Sequence, residues 1–133
     1  MQSKVIVIID DDSEDQEVFI DAVKEIDDSI LCLGFDSGEE AIKIMKAEAI
    51  EVPDLIFLDL NMPRFSGKQC LAEIKKLKKL CHTPVIIYST SSDKKDEEET
   101  RKLGASFFLT KPSRFDDLRN SIKQMLSLKW HVS

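Results

Sequence analysis

The chain has 133 residues, 42% hydrophobic and 33% charged, with a formal net charge of -6 and a pI near 5.0. That length suits one domain over residues 1–133, with a core at about 4–128 and a short frayed tail at 129–133 that contains Trp130 and His131. The acidic balance excludes a nonspecific nucleic-acid binder, which needs a basic face, and Lys75, Lys76, Lys78 and Lys79 have the spacing of a solvated helix face. The longest apolar run, Val5–Ile9, is too short to span a bilayer, and Met1-Gln2-Ser3-Lys4 lacks the apolar segment of a secretory signal. Cys32, Cys70 and Cys81 form no C-x-x-C pair, so a reducing compartment, the cytoplasm, is expected, with neither nucleic acid nor membrane as partner.

Val5–Ile9 is uninterrupted and β-branched, as in a strand buried on both faces. Ser13 with Gln16 fits a capping box, and the helix it opens carries the stripe Val18, Phe19, Ala22, Val23 and Ile26. A second run, Ile30–Phe35, precedes a second box, Ser37 with Glu40. Leu55–Leu58 is the third run, followed by Ser66 with Gln69 and the stripe Leu71, Ile74, Leu77. After the fourth run, Val85–Tyr88, Asp93 is suited to cap a helix reaching Leu103, and Gly104 to end it. That helix holds one large apolar residue, Leu103, so charge pairs such as Glu97 with Arg101 and Glu98 with Lys102 are expected to support it. Phe107–Leu109 is the fifth run, and Ser113 is placed to cap a fifth helix with Leu118, Ile122, Met125 and Leu126 inward. Five strand–helix units predict an α/β fold with helices on both faces of a parallel sheet.

In such sheets chemistry gathers at the carboxyl ends of the strands. The first strand ends in Asp10, Asp11 and Asp12, the third in Asp59, the fourth in Ser89 and Thr90, and the fifth is followed by Lys111 and Pro112. Solvated loop acids explain any one of these, and Asp12 can be read as the residue before the cap Ser13. They do not explain the whole set. Carboxylates gathered at one edge raise one another's pKa, so cations must offset them. Lys111 supplies one charge, and a hard divalent ion with a phosphoryl group supplies a fitting complement.

Four pieces of sequence carry a family resemblance: Ile8-Ile9-Asp10-Asp11, Leu55 to Pro63 with Gly67 following, Pro84 to Ser89, and Gly104-Ala105 through Thr110-Lys111-Pro112. In this order and spacing the chain resembles the receiver domain of two-component response regulators, of the single-domain type. The resemblance implies a flavodoxin-like (βα)5 sheet of order 2-1-3-4-5. It implies that Asp59 is the phosphoacceptor nucleophile. It implies Mg²⁺ (or Mn²⁺) held by Asp11, by Asp10 partly through water, by Asp59 and by the Asn61 backbone carbonyl. Lys111 and Ser89 would bind phosphoryl oxygens, and a cis bond before Pro112 would aim Lys111 into the pocket.

The resemblance also implies a switch coupling Ser89, on a mobile loop, to Phe108, which without a hydroxyl must act by packing alone. Asn61 and Ser91 would flank the phosphoryl group and tune its hydrolysis. The polar fourth helix departs from the family pattern and from the usual dimer face, leaving a monomer or weak dimer expected. No output domain is expected after the fifth helix. The implied partners are a sensor histidine kinase or histidine phosphotransfer protein and a downstream target. The chain is expected to transfer phosphoryl groups to and from itself without being a turnover enzyme. One alternative is a phosphorylation-independent pseudo-receiver, an interaction module of the same fold. Another is a haloacid-dehalogenase-like phosphatase with Asp10 as nucleophile, which leaves Asp59 to Pro63 unexplained.

Overall fold

In the computed structural model, which describes residues 4–128, the apolar runs become strands β1 (Val5–Ile9), β2 (Leu31–Phe35), β3 (Leu55–Leu58), β4 (Val85–Ser89) and β5 (Phe107–Thr110). The tail expected at 129–133 lies outside the described residues. The strands are all parallel and ordered β2-β1-β3-β4-β5, with Val5 beside Leu31, Ile6 beside Leu55, Ile56 beside Val85 and Ile86 beside Phe107. Helices α1 (Ser13–Ile26), α2 (Gly38–Lys46), α3 (Gly67–Lys76), α4 (Lys94–Lys102) and α5 (Phe115–Ser127) alternate with them, completing the flavodoxin-like topology. No helix of the described residues is long and apolar enough to cross a membrane.

Uninterrupted apolar runs predict burial on both faces. This holds for β1, β3 and β4, buried at every residue, but fails for β2 and β5. The strand order makes those two the sheet edges, and Leu31 (52% exposed) and Phe107 (41%) meet solvent there. Two cores result. One joins Phe19, Ala22 and Val23 of α1 to Leu118, Ile122 and Met125 of α5 under Phe57 and Tyr88. The other packs Ala41, Ile42 and Met45 of α2 and Leu71 and Ile74 of α3 under Val7, Leu58 and Ile87. Val18, expected on the inner stripe of α1, is 43% exposed. Cys70 is fully buried and burial pushes its thiol up to about 12, as suits a small core residue.

Two helix starts differ from expectation. The cap of α1 is Asp12, not Ser13: its Oδ1 accepts from Glu14 N (3.0 Å) and Asp15 N (3.1 Å). A carboxylate there meets both the free amides and the positive end of the helix. Gln16 closes no box; its Nε2 donates to the Asp10 carbonyl (2.7 Å) and to Asp36 Oδ1 (2.9 Å). The α5 cap is Arg114 rather than Ser113 and makes no side-chain bond, while Asp116 and Asp117 supply negative charge in the first turn. Ser66 and Gln69 form the full box, Ser37 makes only the forward bond to Glu40 N, and Asp93 caps α4. Gly104 ends α4 at φ +108°, a conformation that favours glycine.

α4 is held differently from its neighbours. It contributes no side chain to either apolar core; its single buried residue is Thr100, and Leu103 is 37% exposed. The expected pairs of Glu97 with Arg101 and Glu98 with Lys102 do not form. Instead Lys68 Nζ on α3 reaches Asp96 (2.7 Å) and Glu99 (2.5 Å), ties that span the groove between the helices. These groups are partly exposed, so each tie contributes about 1 kcal/mol or less. Lys68→Met is therefore expected to speed amide exchange across residues 94–102 severalfold while lowering global stability by no more than about 1–2 kcal/mol. Exchange unchanged in α4 would show that the helix is held by something else.

Candidate functional site

Parallel pairing delivers the strand-end residues to one edge, at the point where the chain turns from β1 outward to β2 and then back across to β3. Backbone bonds fix them there: Asp10 N donates to Phe35 O (3.0 Å) and Asp59 N to Ile9 O (2.9 Å). Carboxylate oxygens of Asp10, Asp11 and Asp59 lie within 4.8 Å of one another. Asp10 is fully buried, Asp59 is 5% exposed and Asp11 is exposed, so the cluster has one face open to solvent. A cleft of about 550 Å³ opens beside Asp11, between the start of α2 and Met62–Phe65.

Lys111 closes the other side. Its Nζ donates to Asp10 Oδ2 and to Asp15 Oδ2, both at 2.8 Å, and sits 5.2 Å from the Tyr88 ring centroid. Burial works against the ammonium charge, but the bonds to Asp10 and Asp15 outweigh it and hold the pKa above the ordinary lysine range. Tyr88 rests in turn on Phe19, with centroids 5.5 Å apart. The bond before Pro112 is trans, as is every peptide bond of the described residues, contrary to the cis bond implied above. Lys111 reaches the pocket regardless, because Lys111 N donates to Ser89 O (2.7 Å) and holds the chain to the end of β4.

The remaining candidates lie nearby with distinct surroundings. Ser89 is the last residue of β4 and fully buried, so the loop begins after it rather than at it. Its Oγ accepts from Ser91 N (3.2 Å), and Ser91 Oγ donates to Asp96 Oδ2 (3.2 Å), linking the strand end to α4. Asn61 N donates to Asp59 Oδ1 (3.3 Å). Phe108 stands apart: it is half-buried beside Ile87 on β4, packed against the core under α2 and α3. On its α4 side is a cavity of about 190 Å³ lined by Thr100, Arg101 and Phe107.

Sequence reasoning missed Asp15 and Tyr88. Asp15 is one acid among several in a first helical turn, and only the direction of α1 aims it at Lys111. Tyr88 had a faint signal, as the residue alternating with Ser89 at the strand end.

The donor set suits a hard divalent cation. It consists of carboxylate oxygens only, and Lys111 is hydrogen-bonded to Asp10 and Asp15 rather than to Asp59. Burial first, then the charge of Asp10, pushes the Asp59 carboxyl from 3.8 up to about 6, against the pull of Lys111 and the Asn61 amide.

The family model for the response regulator receiver domain matches residues 6–123, and the chain belongs to that family. It is 31% identical over 127 residues to the probable C4-dicarboxylate response regulator DctR of Bacillus subtilis, covering 96% of this chain and 54% of DctR, about half that relative's length. It is 31% identical over 121 residues to the response regulator Rcp1 of Synechocystis sp., covering 86% of this chain and 81% of Rcp1. A Mn²⁺-bound structure of Rcp1 superposes with a TM-score of 0.83 at 26% identity, covering 98% of this chain and 99% of that one. The phosphorylated cyanobacterial phytochrome response regulator RcpA superposes with a TM-score of 0.85 at 29% identity, covering 93% and 91%. The chain is thus a receiver domain of the two-component signalling class, CheY-like in architecture.

Gly67 is a constraint on this site. Its N–H donates to Leu60 O (3.0 Å), and a Cβ there would fall onto the Asp59 carbonyl oxygen and 2.6 Å from Leu60 Cα. Gly67→Ala is expected to lower stability by about 1–3 kcal/mol and to displace Asp59, weakening divalent-ion binding measured by calorimetry. A variant that binds as tightly as wild type would show that the loop yields without moving Asp59.

Because Asp59 holds its proton more tightly in the fold than the ordinary value of 3.8, its contribution favours the folded state at low pH. That advantage fades as pH rises through 3.8 toward about 6, and above this the buried charge is a burden. Without metal, Asp59→Asn is expected to raise stability at pH 7 by on the order of 1–3 kcal/mol, with the gain shrinking toward pH 4. Urea unfolding in EDTA at several pH values checks this; a gain independent of pH would mean that the Asp59 charge is not its source.

Proposed function

We propose that the protein is a phosphoacceptor switch in a two-component or phosphorelay system, taking a phosphoryl group on Asp59. The observation that carries this reading is the closed triangle of Asp10, Asp11 and Asp59 carboxylates with Lys111 on one side and solvent on the other. In the reaction an Asp59 carboxylate oxygen attacks the phosphorus of the donor. The new bond is an acyl phosphate, and the bond to the donor's leaving atom breaks with its electron pair. With a phosphohistidine donor the departing imidazole keeps that pair and takes up a proton. Mg²⁺ (or Mn²⁺), held by Asp10, Asp11, Asp59 and the Asn61 carbonyl, would neutralise the charge that gathers on the phosphoryl oxygens. That Rcp1 has a Mn²⁺-bound form supports a divalent ion as a ligand of this chain.

The chain's own groups do the rest. Lys111 pairs with one phosphoryl oxygen and Ser89 Oγ, which accepts from Ser91 N, donates to another. Asn61 and Ser91 flank the group and set how fast water removes it, so the protein dephosphorylates itself without turning over a separate substrate. A phosphoryl group adds about -1.5 to -2 charges, enough to bias the Ser89–Ser91–Asp96 connection toward α4. Phe108 responds by packing alone, with the neighbouring cavity as room to move. The donor is a sensor histidine kinase or histidine phosphotransfer protein, and a partner protein reads the altered surface.

Intact mass after incubation with Mg²⁺ and acetyl phosphate tests the reading. Wild type is expected to gain one phosphoryl group, Asp59→Ala none, and EDTA to abolish the gain. No gain and no beryllofluoride binding by wild type would leave a phosphorylation-independent module. Gain by both proteins would move the nucleophile to Asp10.

A further inference from the structure

Lys111 is the cation that a phosphoryl group on Asp59 must recruit, yet it is already engaged twice. Asp10 Oδ2 and Asp15 Oδ2 each accept from its Nζ at 2.8 Å. The two carboxylates differ in kind. Asp10 is fully buried, its Oδ1 accepts from Asp12 N (3.0 Å), and it belongs to the cluster suited to a divalent ion. Asp15 lies outside that cluster, and its side chain is 41% exposed. It is nonetheless placed with care: Asp12 caps α1 through Asp15 N (3.1 Å), which sets the first turn against Lys111. Asp59 makes no direct bond to Lys111; its Oδ1 accepts from Asn61 N (3.3 Å).

A group shifts an equilibrium only through a difference in its interaction with the two states. Asp10 keeps work to do in both, facing Lys111 in one and the metal in the other. The Asp15 carboxylate has Lys111 as its hydrogen-bond partner and lies outside the cluster suited to a divalent ion. We propose that Asp15 is a positioning residue that holds Lys111 on the α1 side of the pocket, competing with the phosphoryl group for the ammonium and so setting the affinity of Asp59 for it. This rests on the phosphoacceptor reading above and adds a determinant of how readily that state is reached. Asp15 acts through Lys111 and does not touch the reacting atoms.

The probe is beryllofluoride with Mg²⁺, titrated calorimetrically on the full chain. Neutralising Asp15 (Asp15→Asn, with Asp15→Ala as a second neutral variant) is expected to tighten binding about three- to fivefold, the range for a partly exposed ion pair. Asp15→Glu, which keeps the charge on a longer stem, is expected to return most of the way to wild type. Glu14→Gln removes a charge from the same helical turn without touching Lys111, and is expected to stay within about twofold of wild type. Unchanged or weaker binding in both neutral variants would overturn the proposal, and so would equal tightening by Glu14→Gln, which would reveal a general charge effect. Wild type that binds no beryllofluoride would instead overturn the phosphoacceptor reading, and the role of Asp15 with it.

Discussion

Three carboxylates crowd one edge of an apolar sheet, and one ammonium group answers them. Lys111 comes from the end of β5, yet it bonds Asp10 at the end of β1, so a single side chain bridges the carboxyl edge of the sheet. Asp10 is fully buried, and its two carboxylate oxygens are met by Lys111 Nζ and by the Asp12 amide. The bridge also decides what is left over. With Lys111 bonded to Asp10 and Asp15, burial first and then the charge of Asp10 leave Asp59 with a raised pKa. The resulting set of three carboxylates fits a divalent ion.

The sheet supports this arrangement by burying the strands that carry it. β1 and β3, which carry the acids, and β4, which carries Ser89, are buried along their whole length between two apolar cores. The less buried parts are peripheral: the edge strands, and α4, which enters neither core. The same division separates what the sequence made legible from what it hid. Strand positions and strand-end chemistry follow from short-range pattern, so Asp10, Asp11, Asp59 and Lys111 could be picked out before any coordinates. The strand order came from the family resemblance, and it in turn explains why β2 and β5 are exposed although their runs look like those of the centre.

What was hidden depends on distance along the chain or on small angular choices. Lys68 and Asp96 are 28 residues apart, and nothing local marks them as partners. Asp15 and Lys111 are 96 apart. Choosing Asp12 over Ser13 as the α1 cap turns on a shift of one residue between two good capping types, a margin too fine for pattern to decide. The trans bond before Pro112 shows a different limit: Lys111 reaches Asp10 without the cis bond that the resemblance implied.

The attachment of α4 sets it apart in its response to the surroundings. Apolar cores tighten when salts such as sulfate are added and weaken on cooling. Ionic ties behave otherwise: the screening length falls from about 30 Å at 0.01 M salt to about 3 Å at 1 M, and a bond between partly exposed charges weakens with it. The link from Lys68 to Asp96 and Glu99 is of the second kind. Added salt therefore weakens the tie between α3 and α4. The fourth helix thus carries a built-in sensitivity to ionic strength, independent of any phosphoryl group, on the side of the molecule where Ser91 meets Asp96.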